Sequence, residues 1–185
     1  MKRALLVIDV QNEYFTGKLP VTYPQNSLER IEQAIDAANE AEIPVVLVQH
    51  TAPQPDSATF RRASQEWELR PEVAGRKHAT VIEKNLPGSF TGTQLEAWLR
   101  EHGIDAVTIS GYMTQLCCDT TARQAMHLGF DVEFLSDATG TLAFKNSAGA
   151  IGAEELHRAI LVTQQIRFSN VLPTDTWIAK IQDKK

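Results

Sequence analysis

A carboxylate, a primary amine and a thiol each follow a short apolar run in this sequence. Asp9 comes directly after the apolar run at residues 4–8, Lys84 follows a β-branched run, and Cys117 stands a few residues after a third run. A nucleophilic thiol needs a base that takes its proton and a cation that favours its thiolate. Asp9 and Lys84 supply these two groups if the fold brings them to Cys117.

The sequence contains two cysteines, and they are adjacent, which excludes a disulfide framework. A helix is predicted to begin near Cys117, and the positive end of a helix lowers the pKa of a thiol in its first turn. Cys118 shares a helix face with Thr121, Ala122 and Ala125, so we expect it to pack in the core. These opposite orientations argue against a redox pair, because a ring closed by neighbouring cysteines is strained. Burial of both cysteines as small hydrophobes remains an equal alternative from this segment alone.

The elements that must position these residues are strands that alternate with amphipathic helices. Apolar runs predict five strands, at residues 4–8, 44–48, 80–82, 106–110 and 132–135. Periodicity predicts four helices: one capped by Ser27, one that begins at a capping box of Thr91 and Gln94, one from near Cys117 to Gly129, and one over about 153–167. This alternation predicts an α/β fold in one domain over residues 1–185, with a doubly wound, mostly parallel sheet and helices on both faces. Ligands of such sheets bind at the carboxyl ends of the strands, where Asp9 and Lys84 are expected.

Composition and charge narrow the possible functions. The 185 residues include 18 basic and 23 acidic side chains, for a net charge of −5, so nucleic acid is not an expected partner. No apolar run approaches the roughly 20 residues of a membrane span, and Asp9 interrupts the first run too early for a signal peptide. A cytoplasmic location is therefore expected. No glycine-rich nucleotide-binding pattern is present, so no nucleotide cofactor is expected.

Three segments resemble the motifs of the isochorismatase-like cysteine hydrolases. Residues 6–15 (LVIDVQNEYF) resemble the amino-terminal signature of that family, and residues 84–93 (KNLPGSFTGT) resemble its lysine segment. Residues 111–117 (GYMTQLC), followed by Thr121 and Ala122, resemble its nucleophile motif. The three motifs occur in the family's order. The resemblance implies the family's three-layer, Rossmann-type fold.

The resemblance also implies roles for individual residues. Cys117 is the implied nucleophile, Asp9 the implied general acid and base, and Lys84 the third member of a catalytic triad. A cis peptide bond is implied between Tyr112 and Met113, with the N–H groups of Met113 and Cys117 forming an oxyanion hole. The implied reaction is hydrolysis of a C–N bond in a small amide, ureido or carbamoyl compound through a thioester on Cys117.

Five residues near these motifs are candidates for binding a small-molecule substrate. They are Tyr14, Phe15, His50, Tyr112 and Thr114. Tyr14 and Phe15 are equally consistent with a core position, and His50 with a structural histidine. Some relatives, the nicotinamidases, bind a metal through an Asp-x-His pair after the second strand. Residues 48–53 (VQHTAP) lack that aspartate, so neither a metal nor another cofactor is expected.

Two other functions remain open at this point. The chain could be an isochorismatase proper, which cleaves a vinyl ether without a cysteine nucleophile, or a non-catalytic member of the fold; Cys117 favours the amidohydrolase. The resemblance implies a homo-oligomer, a dimer or tetramer, in which Trp177 and Ile178 could help to bury a partner surface. The polar segment 51–79 could contain a short helix, form a lid or make an oligomer contact. No motif identifies the substrate.

Overall fold

The computed structural model describes residues 1–183 and contains a central sheet of six parallel strands. The strands are β1 (Arg3–Ile8), β2 (Val45–His50), β3 (Thr80–Lys84), β4 (Ala106–Tyr112), β5 (Asp131–Gly140), β6 (Phe144–Asn146), β7 (Gly149–Ile151) and β8 (Asn170–Leu172). The helices are α1 (Ser27–Glu40), α2 (Pro71–Ala74), α3 (Leu95–Glu101), α4 (Asp119–His127), α5 (Ala153–Thr163) and α6 (Thr174–Gln182). The order in the sheet is β3-β2-β1-β4-β5-β8, while β6 and β7 form a separate antiparallel ribbon.

The side chains of β1 alternate between two apolar cores, one on each face of the sheet. Leu5 and Val7 belong to the core that contains the apolar residues of α1 and α6, and Leu6 and Ile8 belong to the core that contains those of α3 and α4. All six residues of β1 are buried, as expected for a strand covered on both faces. Full burial of one leucine or isoleucine contributes about 1.5–3 kcal/mol. The predicted α/β fold, with a parallel sheet between two layers of helices, is confirmed.

Two predicted helix caps are wrong. The hydroxyl of Ser27 lies 3.0 Å from the Tyr112 hydroxyl instead of capping α1. The hydroxyl of Thr91 accepts a hydrogen bond from Gln124, at 2.7 Å, and α3 begins only at Leu95, with no side-chain cap. In both cases the hydroxyl that the local pattern assigned to the helix end is hydrogen-bonded to a residue distant in sequence, Tyr112 or Gln124.

The C-terminal part of the chain contains four elements that the sequence patterns did not predict: β6, β7, β8 and α6. Two predicted elements there also have different bounds. The strand predicted at residues 132–135 extends to Gly140, and the helix predicted over 153–167 ends as an α-helix at Thr163 and continues as a π-helical turn. Trp177 of α6 is fully buried in this chain, where its indole N–H donates to Glu133 at 2.9 Å. The expectation that Trp177 covers a partner surface is therefore wrong. Within residues 1–183, no helix has the length and apolarity needed to cross a membrane.

The strand order reverses between β1 and β4, which places a crevice at their carboxyl ends. At this point Gly111 of β4 pairs with Ile8 of β1 and has φ +109°. A Cβ at Gly111 would lie 2.0 Å from the Ile8 carbonyl oxygen, so only glycine permits the two strands to approach in this way. Asp9, the first residue after β1, also has a positive φ, of 53°. The chain thus turns sharply at the position that carries the candidate acid.

Candidate active site

Asp9, Lys84 and Cys117 come together at the carboxyl end of the sheet. The Lys84 Nζ lies 2.7 Å from the Asp9 Oδ2 and donates a hydrogen bond to the Cys117 Sγ at 3.3 Å. The side chains of Asp9 and Lys84 are inaccessible to solvent, and Cys117 is 7% exposed. The structure thus groups the carboxylate, ammonium and thiol that the sequence placed after three separate strands.

The backbone of Asp9 is fixed while part of its carboxylate is free. Its N–H donates to the Val48 carbonyl oxygen of β2, and its own carbonyl oxygen accepts from the Gln11 N–H, both at 2.8 Å. Among the described residues, neither carboxylate oxygen accepts a hydrogen bond of normal geometry, and Oδ2 has only its close ion pair with Lys84. A buried carboxylate oxygen without a donor is available to take a proton from a neighbouring group.

The lowered pKa that we expected for Cys117 is wrong. Burial raises the pKa of the Cys117 thiol, and the negative charge of Asp9 raises it further, against the opposing effect of Lys84. Cys117 belongs to a π-helical turn, Thr114–Cys118, that precedes α4, and desolvation outweighs any effect of the helix end. The resting side chain is therefore a thiol. Cys118 is fully buried, in agreement with its predicted core position.

Lys84 remains an ammonium in this buried site. Burial lowers its pKa, but the negative charge of Asp9 and the close contacts with Asp9 and Cys117 raise it above its ordinary value overall. The ammonium also donates to the Leu86 carbonyl oxygen at 3.1 Å and lies 3.4 Å from the His50 Nδ1. The contacts with Asp9, Cys117 and Leu86 match the three N–H donors of the ammonium and hold it between the acid and the thiol.

The loop between β4 and Cys117 has the peptide geometry that the resemblance implied. The Tyr112–Met113 bond is cis. The Met113 carbonyl oxygen accepts hydrogen bonds from the N–H groups of Leu116 and Cys118, at 3.1 and 3.2 Å. These bonds fold the loop into the turn that carries Cys117.

Thr114 of this loop is linked to a buried histidine. Its hydroxyl lies 2.8 Å from the Nδ1 of His157 on α5, and the His157 Nε2 lies 2.8 Å from the Ser136 carbonyl oxygen. Burial lowers the pKa of His157, which favours its neutral form. The Nε2–H then donates to Ser136, and Nδ1 accepts from Thr114. The hydroxyl of Thr114 is thus directed towards α5.

The candidate aromatic residues form one cluster beside the triad. Tyr14 lies between Phe60 and Tyr112, with ring centroids 5.3 and 5.5 Å away. Phe15 contacts the edge of Tyr112 at 5.8 Å and stacks under the guanidinium of Arg70. Burial raises the pKa of Tyr14, and the nearby charges of Cys117 and Asp9 raise it further. Tyr14 is therefore within electrostatic reach of the triad.

A cleft of about 520 Å³ lies next to this cluster without reaching the triad. Its lining includes Glu13, Lys18, Arg61 and one face of Phe60. The Phe60 ring also contacts Tyr14 and, at 5.1 Å, His50. Phe60 therefore separates the open cleft from the residues around Lys84. Its φ of +50° is unusual for a bulky side chain and marks a strained position in the segment that covers the site.

The comparison of this chain with known protein families agrees with the site. Residues 3–166 match the family described as the isochorismatase domain. The chain belongs to the isochorismatase family. A solved structure from Burkholderia xenovorans LB400 is 51% identical, with a TM-score of 0.95, over 98% of this chain and 88% of the other.

The relatives of this isochorismatase-family hydrolase include a nicotinamidase and a ureidoacrylate amidohydrolase. Nicotinamidase 3 of Arabidopsis thaliana is 32% identical over 187 residues, which is 93% of this chain and 85% of the relative. A ureidoacrylate amidohydrolase, RutB, of Stutzerimonas stutzeri is 26% identical over 170 residues, which is 74% of this chain and 68% of the relative.

The last two residues of β2 do not fit the metal site known from nicotinamidases. Gln49 donates its amide to the Trp67 carbonyl oxygen at 3.0 Å, and the Nδ1 of His50 faces the ammonium of Lys84. A cation beside Lys84 would meet like charge. Among residues 1–183, no group of three His, Cys, Asp or Glu side chains is arranged to hold a metal ion.

Sequence reasoning assigned no role to Gln11, which organises this isochorismatase-family site. Its buried amide accepts from the His50 N–H and donates to the His50 carbonyl oxygen, both at 2.9 Å, and also donates to the Trp67 carbonyl oxygen. Gln11 thus joins the end of β2 and the segment that contains Trp67 to the loop after β1. The available signal was its place in the amino-terminal motif, two residues after Asp9.

Proposed function

We propose that this hydrolase cleaves the C–N bond of a small amide, ureido or carbamoyl compound, with Cys117 as nucleophile. One observation carries the proposal: the Lys84 ammonium contacts both the Asp9 carboxylate and the Cys117 sulfur in a site closed to bulk water. A base, a nucleophile and a balancing cation are the groups that covalent acyl transfer requires.

In the proposed mechanism, Asp9 takes the thiol proton as the Cys117 sulfur attacks the substrate carbonyl carbon. The carbonyl π electrons move to oxygen and form a tetrahedral oxyanion. When this intermediate collapses, the C–N bond breaks, the nitrogen takes the proton from Asp9, and an amine or ammonia leaves. A water molecule then gives a proton to Asp9 and attacks the thioester, which releases the acid product and restores the thiol. Lys84 balances the charge that moves between Asp9 and Cys117.

The oxyanion hole is assigned to the N–H groups of Met113 and Cys117. Among the described residues, the Met113 N–H donates no backbone hydrogen bond, which leaves it available to an oxyanion. Met113 is almost fully buried, so a hydrogen bond from its N–H to the oxyanion would be little weakened by water.

The five candidate substrate residues have different support. His50 contacts Lys84, and Tyr14 is within electrostatic reach of Cys117 and Asp9, so we assign both to the substrate pocket. Phe15, whose ring contacts Tyr112, is assigned to the same pocket. Tyr112 and Thr114 are buried, and their hydroxyls contact Ser27 and His157. Their assigned role is to shape the loop that presents Cys117. The amide and ureido substrate class is supported by the names of the nicotinamidase and ureidoacrylate amidohydrolase relatives.

The proposal is tested by ammonia release from a panel of small amides, ureides and carbamoyl compounds. Cys117→Ala should abolish turnover, and Cys118→Ala, which removes the adjacent buried thiol, should retain most of it. Vinyl ether cleavage is followed in parallel as pyruvate release from isochorismate. Pyruvate release that survives in Cys117→Ala would instead identify the isochorismatase reaction. Failure of the wild type to act on either class would favour a non-catalytic member of the fold.

Three broader expectations remain predictions for the whole molecule. We propose one domain over residues 1–185, a homo-oligomer, either a dimer or a tetramer, and a cytoplasmic location. Light scattering coupled to size exclusion measures the oligomeric state of the purified chain. Limited proteolysis tests the single domain, which should yield no stable fragment that retains only part of the sheet.

A further inference from the structure

The backbone of His50 is fixed beside the triad without help from its side chain. It ends β2 beside Lys84, its register partner at the end of β3. Gln11 binds both its N–H and its carbonyl oxygen. The imidazole is therefore not needed to fix the backbone of this residue, and its ring nitrogens can serve another purpose.

The contact with Lys84 determines which nitrogen of His50 carries the proton. The Nδ1 lies 3.4 Å from the Lys84 Nζ, and an ammonium group can only donate. A proton on Nδ1 would face this cation, which offers no acceptor, so Nδ1 is the unprotonated nitrogen. Burial lowers the pKa of His50, and the positive charge of Lys84 lowers it further, which favours the neutral ring. In a neutral ring with an unprotonated Nδ1, the proton is on Nε2.

The Nε2–H of His50 has no acceptor among the described residues. Unlike the Asp9 carboxylate oxygens, which are fully buried without a hydrogen-bond partner in residues 1–183, the Nε2 atom keeps contact with solvent. The edge of the ring packs against Phe60, the residue that separates the open cleft from the triad. A donor with a fixed direction therefore points into accessible space beside Lys84, while the Lys84 and Asp9 side chains are closed off.

We propose that the Nε2–H of His50 binds the substrate, and that the substrates carry a second hydrogen-bond acceptor near the amide that is cleaved. A second carbonyl oxygen, a carboxylate or a heteroaromatic nitrogen would fill this role. A substrate without such an atom would displace water from the donor and leave it unpaired, which weakens binding in the ground state and transition state. This inference rests on the proposed function and narrows its substrate class.

The test compares amides of matched shape that differ in one acceptor. Nicotinamide is paired with benzamide, and succinamate with 4-methylpentanamide, and kcat/KM is measured from ammonia release. In the wild type we expect the acceptor-bearing member of a hydrolysed pair to be favoured by about tenfold or more. His50→Phe should bring the ratio close to one, and His50→Gln, which can place an N–H near Nε2, should restore part of it. Any general effect of losing the Lys84 contact cancels in the ratio.

His78→Phe is the matched control, because His78 is exposed and its side chain bonds only to the Arg76 carbonyl oxygen among residues 1–183. It should keep the wild-type ratio. An equal preference for both members in the wild type, or an unchanged ratio in His50→Phe, overturns the inference while leaving the proposed function intact. A ¹⁵N NMR spectrum in which His50 carries its proton on Nδ1 overturns it as well. No hydrolysis of any amide contradicts the proposed function, and the inference falls with it.

Discussion

The Lys84 ammonium and the Asp9 carboxylate form an ion pair from which solvent is excluded: the two charged atoms lie 2.7 Å apart and neither side chain is accessible. They come from the ends of β3 and β1, with β2 between them. Lys84 therefore reaches across the end of an intervening strand. Such a pair is costly to desolvate and is weak evidence of a purely stabilising role, which favours a role in the chemistry.

Lys84→Met should abolish hydrolysis and lower the free energy of unfolding by about 3–5 kcal/mol, because it leaves the Asp9 carboxylate buried and unpaired. Urea denaturation at pH 7 measures this loss. The control is Glu83→Gln, at the neighbouring position, whose pair with Arg62 is solvent-exposed and should contribute at most about 1 kcal/mol. A Lys84→Met protein as stable as the wild type would show that Asp9 and Lys84 do not form a buried ion pair.

Asp9→Asn should separate the ionisation of the thiol from its reactivity towards substrate. The negative charge of Asp9 raises the pKa of Cys117, so its removal should lower the pKa of this thiol. Turnover should nevertheless fall by about 10²–10⁴-fold, because the proposed general acid and base is lost. The thiolate is followed by its ultraviolet absorbance during a pH titration in a Cys118→Ala background. A thiol pKa that rises, or turnover that persists, would refute the role given to Asp9.

Glu133 should make the fold sensitive to acid. Burial raises the pKa of this carboxyl, but hydrogen bonds from Arg3, Lys180 and Thr108 outweigh burial and lower it from an ordinary 4.5 to about 2. A group whose pKa is lower in the folded state contributes stability above its unfolded pKa and loses it as the pH falls. The contribution, ~3 kcal/mol at most, should be present at pH 6 and disappear between about pH 5 and 2.

Glu133→Gln should remove most of this pH dependence and lower the free energy of unfolding at pH 6. Urea unfolding at a series of pH values gives both quantities. Glu96→Gln, which alters an exposed pair with Arg100, is the control and should leave the pH profile unchanged. An unaltered profile in Glu133→Gln would show that other carboxyls cause the acid sensitivity.

Gly111→Ala should prevent the chain from folding normally, because the new Cβ would collide with the Ile8 carbonyl oxygen in the neighbouring strand. Gly129→Ala is a matched control: Gly129 also has a positive φ, of 84°, but no atom lies within 4 Å of its added Cβ. It should cost about 1–2 kcal/mol from backbone conformation alone. Thermal unfolding of both variants measures the difference. Equal losses would mean that the approach of β4 to β1 tolerates a side chain.

The sequence predicted five of the six strands of the sheet, because a buried strand such as β1 is a continuous apolar run in which neighbours such as Leu5 and Leu6 face opposite cores. It missed β8, which has only three residues. Asp9, Lys84 and Cys117 were found for a related reason: each follows a predicted strand, and the carboxyl ends of parallel strands meet at one edge of the sheet. The wrong predictions concern side chains whose partners are far away in sequence. Ser27 and Thr91 have the right type for a helix cap, yet Tyr112 and Gln124 bind them.

The pKa of Cys117 could not be predicted from its local position for the same reason. A thiol in the first turn of a helix has a lowered pKa only when solvent or nearby cations outweigh the cost of desolvation. Desolvation is the largest effect on the Cys117 pKa, and it depends on how the surrounding elements pack. Gln11 and Phe60 were missed because their roles depend on contacts with His50, more than 30 residues from Gln11. Only the assembled loops reveal which residues cover the triad.

The most direct test of the central claim is mass-spectrometric peptide mapping of the enzyme quenched in acid during turnover of an amide substrate. The account predicts an acyl group, bound as a thioester, on Cys117 and none on Cys118. Turnover without an adduct on Cys117, sustained in the Cys117→Ala variant, would contradict it.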